Sequence, residues 1–516
     1  MAPLNGRFLV AAAAAAAAAF LPAALCLDGG DVELENADVV VVGGGLSGLW
    51  TAHQLQQRTK LKVVVLEGRG RVGGRVESLE PNTNNTIDLG GHWVGRTQYH
   101  LLAALKELGK ETYKQWTTGT KILDIDGKVS FYNSSLPNLP LMQEANFALF
   151  ALLAQGEIMA LDREEPWKSP FAAHFDGQTV ESFCGSFPWT KETKQLVQSA
   201  ANAIMGKSLP EVSSLQFLHY AACVGGLLPL LDASPGGGQE FKVHGGTQAI
   251  AFALAKALDV RLNETVVSID IQNMGIGGGA IVQTRSGKRF QAQRVVVAIP
   301  PHLAARIWYD PPLPSKKSHL YTQMTQGNLI KVFAVYKNAF WRERGLSGEI
   351  VSSTYPLSIC YDDTTPGGKA ALICFVGGSD AARMTPLTRA ERQTAVTDAL
   401  VRYFGDDASL VDEYIEKDWG LEPFTGGCPA GTLSGGALSL WGDTLRDQHG
   451  PVSFGGTETA AWWYGFMNGA IQAGERCAIE TMEALNIPVP QEMMDFYAWG
   501  GKNKPPQAAH DIDLVV

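Results

Sequence analysis

Three glycines with the spacing of a dinucleotide-binding turn stand near the beginning of the chain. The β-branched run Asp38–Val42 precedes them, and apolar residues at helical spacing follow them. A glycine turn between a strand and a helix lets the backbone approach a pyrophosphate, which the N–H groups of the helix N-terminus bind. An acidic residue ends the next apolar run, about 20 residues after the glycine turn. In dinucleotide-binding proteins a carboxylate at this sequence separation accepts hydrogen bonds from the ribose hydroxyls. The residues predicted to contact a dinucleotide here are Gly43, Gly45, Leu46, Ser47, Gly48 and Glu67.

Two more glycine-rich segments follow directly, at residues 69–75 and 88–95. Arginines beside glycines suit phosphate groups, and a nicotinamide enzyme has no need of a second such turn at this place. The pattern therefore favours FAD over a nicotinamide cofactor. The residues predicted to bind it in these two segments are Gly68, Arg69, Gly74, Arg75, Gly90, Gly91, His92 and Trp93.

A fourth motif, Phe454–Thr459, lies near the C-terminus and precedes aromatic residues and a predicted helix from about Gly469. With it, the chain resembles the flavin-containing amine oxidases of the monoamine oxidase group from about Asp38 to Leu485. The segments that carry the resemblance, in the family's order, are Glu67–Arg75, Asp88–Gln98, Gln239–Gln248, Gly327–Trp341, Glu416–Cys428 and Gly455–Cys477.

The resemblance implies an α/β fold, in which a doubly wound, Rossmann-like FAD-binding domain is assembled from discontinuous segments around an inserted α+β substrate domain. The expected FAD-binding segments are 37–110, 236–300 and 425–485. The expected substrate domain comprises 111–235 and 301–424, with a C-terminal tail at 486–516. The stretch between Lys110 and Leu230 has mixed helical periodicity and is expected to be largely helical.

The resemblance also implies roles for single residues. Lys331 matches a lysine near flavin N5, Trp419 matches a tryptophan packed beside the flavin, and Glu458 matches a glutamate at the ribityl chain. Cys428, after two glycines, is in register with a cysteine that is joined to the flavin 8α position, so a covalent link is expected. Further residues implied at the cofactor are Val267 near the adenine, together with Gly456, Thr457, Phe466 and Met467.

The chain departs from the family pattern where the amine binds. The family's aromatic cage uses two tyrosines, but Pro429 follows the cysteine here and Phe466 replaces the second tyrosine. Cys223 stands where the family often has a glutamine. We therefore expect an altered pocket, with Phe466 and Trp463 as candidate amine-contacting residues and Trp462 or Tyr464 as alternative walls.

The expected reaction is oxidation of a primary or secondary amine to an imine, and hence an aldehyde, with O2 reduced to hydrogen peroxide. An L-amino-acid oxidase is an alternative, and it would need an arginine such as Arg96 to bind the substrate carboxylate. A polyamine oxidase is a second alternative and would need acids for the distal ammonium. A secreted FAD-binding protein without turnover is a third, motivated by the missing cage tyrosines.

Composition and the N-terminus bear on partners and location. The net charge of −10 argues against a nucleic-acid partner, and no metal site is predicted. A basic residue, an apolar alanine run and small residues within 1–26 predict a secretory signal. Sequons at Asn84, Asn133 and Asn263 agree with secretion or residence in the secretory-pathway lumen. Expected partners are an amine and O2, with a homodimer as one assembly and no C-terminal membrane anchor.

Seven cysteines are too few for a disulfide scaffold in a chain of this length. Cys360 and Cys374 could pair if two adjacent strands carry them.

Overall fold

The computed structural model describes residues 34–134, 139–185, 189–230, 232–273 and 278–498. The predicted signal sequence and the tail after residue 498 lie outside the described residues. The strands are β1 Leu34–Val42, β2 Val63–Leu66, β3 Ser78–Leu79, β4 Ile87–Asp88, β5 Trp93–Val94, β6 Thr112–Lys114, β7 Thr120–Ile125, β8 Lys128–Tyr132, β9 Phe241–Val243, β10 Asp259–Arg261, β11 Val266–Ile271, β12 Ala280–Thr284, β13 Arg289–Val297, β14 Trp308–Asp310, β15 Thr325–Gln326, β16 Leu329–Tyr336, β17 Leu346–Ser352, β18 Ile359–Asp362, β19 Ala370–Gly377, β20 Glu413–Asp418, β21 Gly431–Thr432 and β22 Val452–Phe454. The helices are α1 Leu46–Arg58, α2 Tyr99–Glu107, α3 Leu141–Ala160, α4 Ala172–Asp176, α5 Val180–Gly185, α6 Lys191–Met205, α7 Ser214–Ala222, α8 Gln248–Ala255, α9 Pro301–Ala304, α10 Ser315–Gln323, α11 Phe340–Glu343, α12 Ser379–Met384, α13 Arg389–Phe404, α14 Ala437–Trp441, α15 Met467–Ala484 and α16 Gln491–Tyr497.

An eight-stranded sheet in the order β10-β2-β1-β13-β12-β11-β14, with β22 also paired to β13, forms the first layer. Its strands β10, β2, β1, β13 and β22 are parallel. Val40 and Val42 face one hydrophobic core and Val39 and Val41 face another. Because both faces are covered, the strand is a continuous apolar run rather than an alternating one.

A seven-stranded sheet in the order β20-β16-β19-β18-β17-β7-β8 forms the second large layer. Strands β16, β18 and β19 are buried along their whole length. Cys360 and Cys374 are directly opposed on β18 and β19 and form a disulfide, as their placement on adjacent strands allows. This sheet draws its strands only from the segments predicted for the substrate domain.

Two details differ from the sequence-based expectations. Residues 112–132 form β6, β7 and β8 before the helices begin, so the expectation of a largely helical stretch from Lys110 is wrong for its first part. Asp126 and Gly127 both have positive φ between β7 and β8, which is the geometry of a tight hairpin turn. Strand β14 lies in a predicted substrate-domain segment but pairs with β11 of the eight-stranded sheet.

No helix in the described part of the chain has the length and apolar character required to cross a membrane.

Candidate functional site

A cavity of about 450 Å³ lies between the two large sheets. One part, which we call the glycine end, is lined by the turn after β1, the segments after β2, and the turn after β22. The other part, which we call the aromatic end, is lined by residues of the seven-stranded sheet, of α6 and α7, and of the loops before β9 and α15. The residues that define the aromatic end are Ala203, Ile204, Tyr220, Gly238, Gln239, Leu329, Ile359, Tyr361, Phe375 and Phe466.

The glycine turn after β1 brings the backbone to the glycine end. A side chain at Gly43, where φ is +109°, would lie 2.7 Å from Ile299 Cγ2 and 2.9 Å from Ala298 O. Helix α1 begins at Leu46 with no side-chain cap and no acidic residue in its first turn. Its first N–H groups are therefore available to an anion in the cavity. Gly48 does not line the cavity. A side chain at this position would lie 2.1 Å from Gly43 O, so the absence of a side chain allows α1 to pack against the turn.

Glu67 and Arg69 supply polar atoms at the same end. Glu67 accepts hydrogen bonds from Gly44 N at 2.7 Å and Arg69 N at 2.8 Å, which fixes its carboxylate at the cavity wall. The Nη2 atom of Arg69 is buried and has no hydrogen-bond partner. A buried unsatisfied guanidinium nitrogen is costly in a folded protein, and an anionic ligand would satisfy it. Together with the uncapped helix, it fits the dinucleotide predicted from the sequence.

Arg75 and Glu458 form a second charged unit beside the cavity. The two Nη atoms of Arg75 donate to both carboxylate oxygens of Glu458, at 2.5 and 2.9 Å, and Arg75 also donates to Pro429 O at 2.8 Å. Burial alone would raise the pKa of Glu458, but Arg75 and the N–H of Gly431 lower it to about 2. Arg75 lines the cavity and Glu458 does not. The carboxylate therefore acts on the cavity by orienting Arg75.

Lys331 lies on β16 with its ammonium group at the cavity wall. Its Nζ donates to Asp88 O at 2.6 Å and Gly90 O at 2.8 Å, and it lies 5.7 Å from the ring centroids of both Trp93 and Phe375. Only 2% of the residue is exposed, and burial lowers the pKa of Lys331 to about 8. It is therefore a buried cation held by carbonyl dipoles.

Trp419 and Cys428 also line the cavity. The indole N–H of Trp419 donates to Leu89 O at 2.8 Å, which holds the ring in place. A side chain at Gly427 would meet Gly327 O at 2.2 Å, so glycine is required for the turn that presents Cys428. Burial raises the pKa of the Cys428 thiol to about 11, although Arg75 and Lys331 oppose that shift.

Trp463, predicted to contact the amine, does not line the cavity. Its indole N–H donates to Thr97 O at 3.1 Å, and its ring packs edge-on against Phe466 at 5.0 Å. Trp462 and Tyr464 are likewise absent from the lining. Tyr464 packs edge-on against His219 and Tyr220, and Trp462 lies under the guanidinium group of Arg163, so only Trp463 supports Phe466 directly. The predicted residues that do line it are Gly43, Gly45, Leu46, Ser47, Glu67, Gly68, Arg69, Gly74, Arg75, Gly90, Gly91, His92, Trp93, Val267, Lys331, Trp419, Cys428, Gly456, Thr457, Phe466 and Met467.

Sequence reasoning missed most of the aromatic end. Tyr361 and Phe375 come from β18 and β19, and Tyr220 comes from α7. Tyr220 lies 5.8 Å from Phe466, ring centroid to ring centroid. Alternation within β18 and β19 indicates which residues share a face, but not that this face borders the cofactor turn. In the described ranges, no group of three or more His, Cys, Asp or Glu side chains is arranged to hold a metal ion.

Comparison with known proteins agrees with this geometry. The profile of the family described as flavin containing amine oxidoreductase matches residues 46–481. The chain belongs to this family of flavin-dependent amine oxidases. Amine oxidase [flavin-containing] B of Mus musculus is 35% identical over 465 residues, which cover 88% of each chain. Probable flavin-containing monoamine oxidase A of Dictyostelium discoideum is 33% identical, covering 87% of this chain and 98% of that protein.

Solved structures of amine oxidases share the fold. Wild-type putrescine oxidase bound to putrescine superposes with a TM-score of 0.83 at 30% identity, covering 87% of this chain and 100% of that one. Cyclohexylamine oxidase from Brevibacterium oxydans IH-35A gives 0.82 at 29% identity, covering 87% and 99%. This amine oxidase is therefore an oxidoreductase acting on CH–NH2 donors, with FAD as its cofactor. Its eight-stranded sheet belongs to the Rossmann-like FAD-binding fold.

Proposed function

We propose that this amine oxidase converts a primary amine with an apolar or aromatic substituent into the imine and passes the electrons to O2, giving hydrogen peroxide. The lining of the aromatic end carries the proposal. Tyr361, Phe375 and Phe466 provide rings, Ile204 and Leu329 provide apolar surface, and none of the described residues that define this end carries a carboxylate or a guanidinium group. Such a surface favours a neutral amine with one apolar arm.

When bound, FAD supplies the two-electron acceptor for the hydride equivalent of the amine α-carbon and then reduces O2. The aromatic rings orient the amine and exclude water, which favours its neutral form over the ammonium form. Lys331 holds a proton at the cavity wall, where its pKa of about 8 permits exchange near neutral pH. The released imine hydrolyses in water to an aldehyde and ammonia.

Arg96, the residue that the L-amino-acid oxidase alternative requires, is not available to bind a substrate carboxylate. Arg96 Nε donates to Glu240 Oε2 at 2.7 Å, and its guanidinium makes a second contact to the same carboxylate. Arg96 does not line the cavity. Of the cavity-lining arginines, Arg75 is paired with Glu458 and Arg69 belongs to the glycine end. Arg285 and Arg306 follow β12 and α9, which contribute no residue to the aromatic end. A substrate carboxylate at the aromatic end would have no arginine partner among the described residues.

The diamine alternative is motivated by the similarity to putrescine oxidase. A carboxylate is the usual partner of an ammonium group that leaves water. The carboxylates in the cavity lining are Glu67 and Glu264, both near the glycine end. We therefore rank diamines below monoamines as substrates.

Peroxide release across a substrate panel tests the proposal. We expect benzylamine and phenethylamine to give faster turnover than putrescine, phenylalanine or leucine. Faster turnover of putrescine would overturn the monoamine assignment, and faster turnover of the amino acids would favour the L-amino-acid oxidase. An FAD-loaded protein that no amine bleaches under anaerobic conditions would instead support a binding protein without turnover.

Attachment of FAD through Cys428 is a separate proposal. Its support is that the thiol lies in the cavity lining, on a turn whose glycines permit close approach, and that Arg75 and Lys331 oppose the burial that raises the pKa of the thiol. Acid denaturation followed by filtration tests it: flavin should stay with the wild-type protein and pass the filter for Cys428→Ala. The buried thiol of Cys477, which is not in the lining, provides the matched control variant Cys477→Ala. Flavin in the wild-type filtrate would exclude the link.

Export and glycosylation form a further proposal. Asn84, Asn133 and Asn263 are exposed, as glycan attachment requires. The Cys360–Cys374 disulfide is typical of proteins that mature in an oxidising compartment. Expression of the full chain in secretory eukaryotic cells should give protein in the medium whose mass falls on treatment with an N-glycosidase. Retention of all the protein in the cytosolic fraction would contradict this proposal.

A further inference from the structure

A row of four buried, ionisable side chains leads from Lys331 away from the cavity. His92 Nδ1 lies 3.3 Å from Lys331 Nζ, and His92 Nε2 lies 2.9 Å from Asp363 Oδ1. Lys242 Nζ lies 2.9 Å from the same carboxylate oxygen. Each of the four residues is at most 5% exposed, although Lys331 and His92 also line the cavity. The row therefore joins the cavity wall to an internal ion pair.

Two of the three N–H groups of Lys331 have fixed acceptors, and the third does not. An ammonium group has three N–H donors. Two of them are directed at the carbonyls of Asp88 and Gly90, at 2.6 and 2.8 Å. The third is available to His92 Nδ1 or to a group in the cavity. The protonation of His92 therefore determines how Lys331 presents its remaining hydrogen.

The charges around His92 favour one form of its ring. Burial lowers the pKa of His92, so the imidazole is neutral at neutral pH. Burial alone would raise the pKa of Asp363, but Lys242 and His92 lower it well below its usual range. An anionic Asp363 near Nε2 favours the tautomer with the proton on that nitrogen. The Nδ1 lone pair then accepts from Lys331 at 3.3 Å, although Nδ1 also lies 3.4 Å from the carbonyl oxygen of Asp88.

We propose that His92, oriented by Asp363, is a positioning residue that sets the proton affinity of Lys331 and the direction of its donors. The proposal rests on the proposed function, in which Lys331 acts on the oxidation of the amine or the return of electrons to O2. The titratable and charged groups that face Lys331 are Asp88, His92, Lys242, Asp363 and Cys428, beside the rings of Trp93, Phe333 and Phe375.

The proton affinity of Lys331 can be measured without turnover. The holoenzyme is labelled with lysine carrying ¹³C at the ε-carbon, and the resonance missing from Lys331→Met identifies the residue. We expect a titration midpoint near pH 8 in the wild-type protein. His92→Phe keeps a ring beside Trp93 but removes both nitrogens. Because loss of one acceptor costs the ammonium form about 1 kcal/mol, the midpoint should fall by about 0.7 pH unit.

Two variants complete this measurement. His92→Gln offers an amide oxygen to Lys331 and should restore the midpoint to within about 0.3 pH unit of the wild-type value, since it replaces the lost hydrogen bond. His53→Phe changes a histidine that pairs with Glu107 outside the cavity and should leave the midpoint unchanged. If His92→Phe does not fold, His92→Ala serves in its place. An unchanged midpoint in His92→Phe, or in His92→Ala where that variant replaces it, would overturn the proposal.

Stopped-flow rates for flavin reduction and reoxidation then relate the shift to the reaction. The pH profile of the slower half-reaction should move in His92→Phe by the same amount as the Lys331 midpoint. In a Lys331→Met background, His92→Phe should cause no further slowing, because its effect passes through the lysine. Equal slowing in both backgrounds would overturn the proposal. Absence of any amine-dependent reduction in the wild-type holoenzyme would contradict the proposed function instead, and would leave the midpoint measurement valid.

Discussion

At the glycine end of the cavity, the main chain and paired charges form the surface, whereas at the aromatic end uncharged side chains from separate elements form it. Gly43 and Gly45 bring backbone to the wall, Glu67 is fixed by two N–H groups, and Arg75 is fixed by Glu458. The aromatic end has rings and aliphatic groups from strands and a helix that meet only in the folded molecule.

The two ends therefore select their ligands in different ways. Fixed N–H groups and charges recognise a pyrophosphate and ribose by position, so a displacement of the backbone should abolish binding. A wall of rings recognises an amine by shape and by exclusion of water, so the loss of one ring should weaken binding by degrees. Lys331 belongs to neither class, because it is a buried cation that carbonyl groups stabilise instead of a carboxylate.

The largest effect is expected at Gly43. Gly43→Val places a side chain against Ile299 and Ala298 at a φ of +109°, where a β-branched residue is strained. We expect FAD affinity to fall at least about a thousandfold, equivalent to about 4 kcal/mol, in titrations of the apoprotein followed by flavin absorbance. Gly156→Ala, with open space around its new methyl group, is the control. Retention of FAD by Gly43→Val would show that the backbone position is not decisive.

A second prediction concerns the charge on Lys331. Its pKa of about 8 in the folded protein lies below the ordinary value of 10.5, so the unfolded chain binds more protons between these two values. The wild-type free energy of unfolding should therefore rise relative to Lys331→Met by up to about 3 kcal/mol from pH 8 to pH 10.5. Urea unfolding at pH 7, 8, 9 and 10 measures it, with exposed Lys168→Met as control. Parallel curves would mean that the cation is not destabilised by burial.

A smaller effect is expected from the loss of one ring at the aromatic end. Phe466→Ala should raise the KM for benzylamine about 2- to 10-fold and leave FAD affinity unchanged, because one aromatic contact contributes about 0.5–1.5 kcal/mol. Steady-state peroxide release provides the measurement. Phe131→Ala, which removes a ring that is 57% exposed on β8, is the matched control. Loss of FAD from Phe466→Ala would contradict the assignment of FAD binding to the glycine end and amine binding to the aromatic end.

The smallest effect on the cavity is expected from removal of the disulfide. Tyr361 and Phe375 line the cavity from positions next to Cys360 and Cys374, and the two cysteines face the opposite side of the sheet. Since the strand ladder remains, Cys360→Ser with Cys374→Ser should change the benzylamine KM by less than about twofold, or about 0.4 kcal/mol. The free energy of unfolding should still fall, by up to about 3 kcal/mol for a loop of this length. A large KM change with normal stability would contradict this.

The sequence allowed much of the glycine end to be predicted, because spacing along one short segment dictates the contacts. Gly43, Glu67 and Arg69 are near one another through a single strand-turn-helix-strand unit. The positions of Lys331 and Cys428 required the family resemblance, since nothing local connects them with that unit. The family resemblance could not identify which aromatic ring near Phe466 faces the cavity. Trp463 was predicted to contact the amine, but the backbone conformation around it decides which ring points inward, and Trp463 does not.

The aromatic end and the His92 row could not be predicted in the same way. Tyr361 and Phe375 acquire a common surface only when β18 and β19 pair, and Asp363 meets His92 and Lys242 from three separate segments. The hairpin of β7 and β8, by contrast, has a local sequence signal. Asp126-Gly127 between two apolar runs is typical of a tight hairpin turn, so the sequence alone could have predicted these two strands.

The pairing of β1 with β13 has a consequence for the order in which the chain is made. Leu34 pairs with Arg289, so at synthesis rates of about 5–20 residues per second the first strand waits roughly 13–50 s for its partner. Strand β22 and helix α15, which packs on α1, are made later still. During that interval β2 can pair with one edge of this valine-rich strand, but the edge that pairs with β13 stays open, which favours association with other chains. The FAD site is therefore completed late, and chaperone protection of the growing N-terminal segment should increase the yield of folded enzyme.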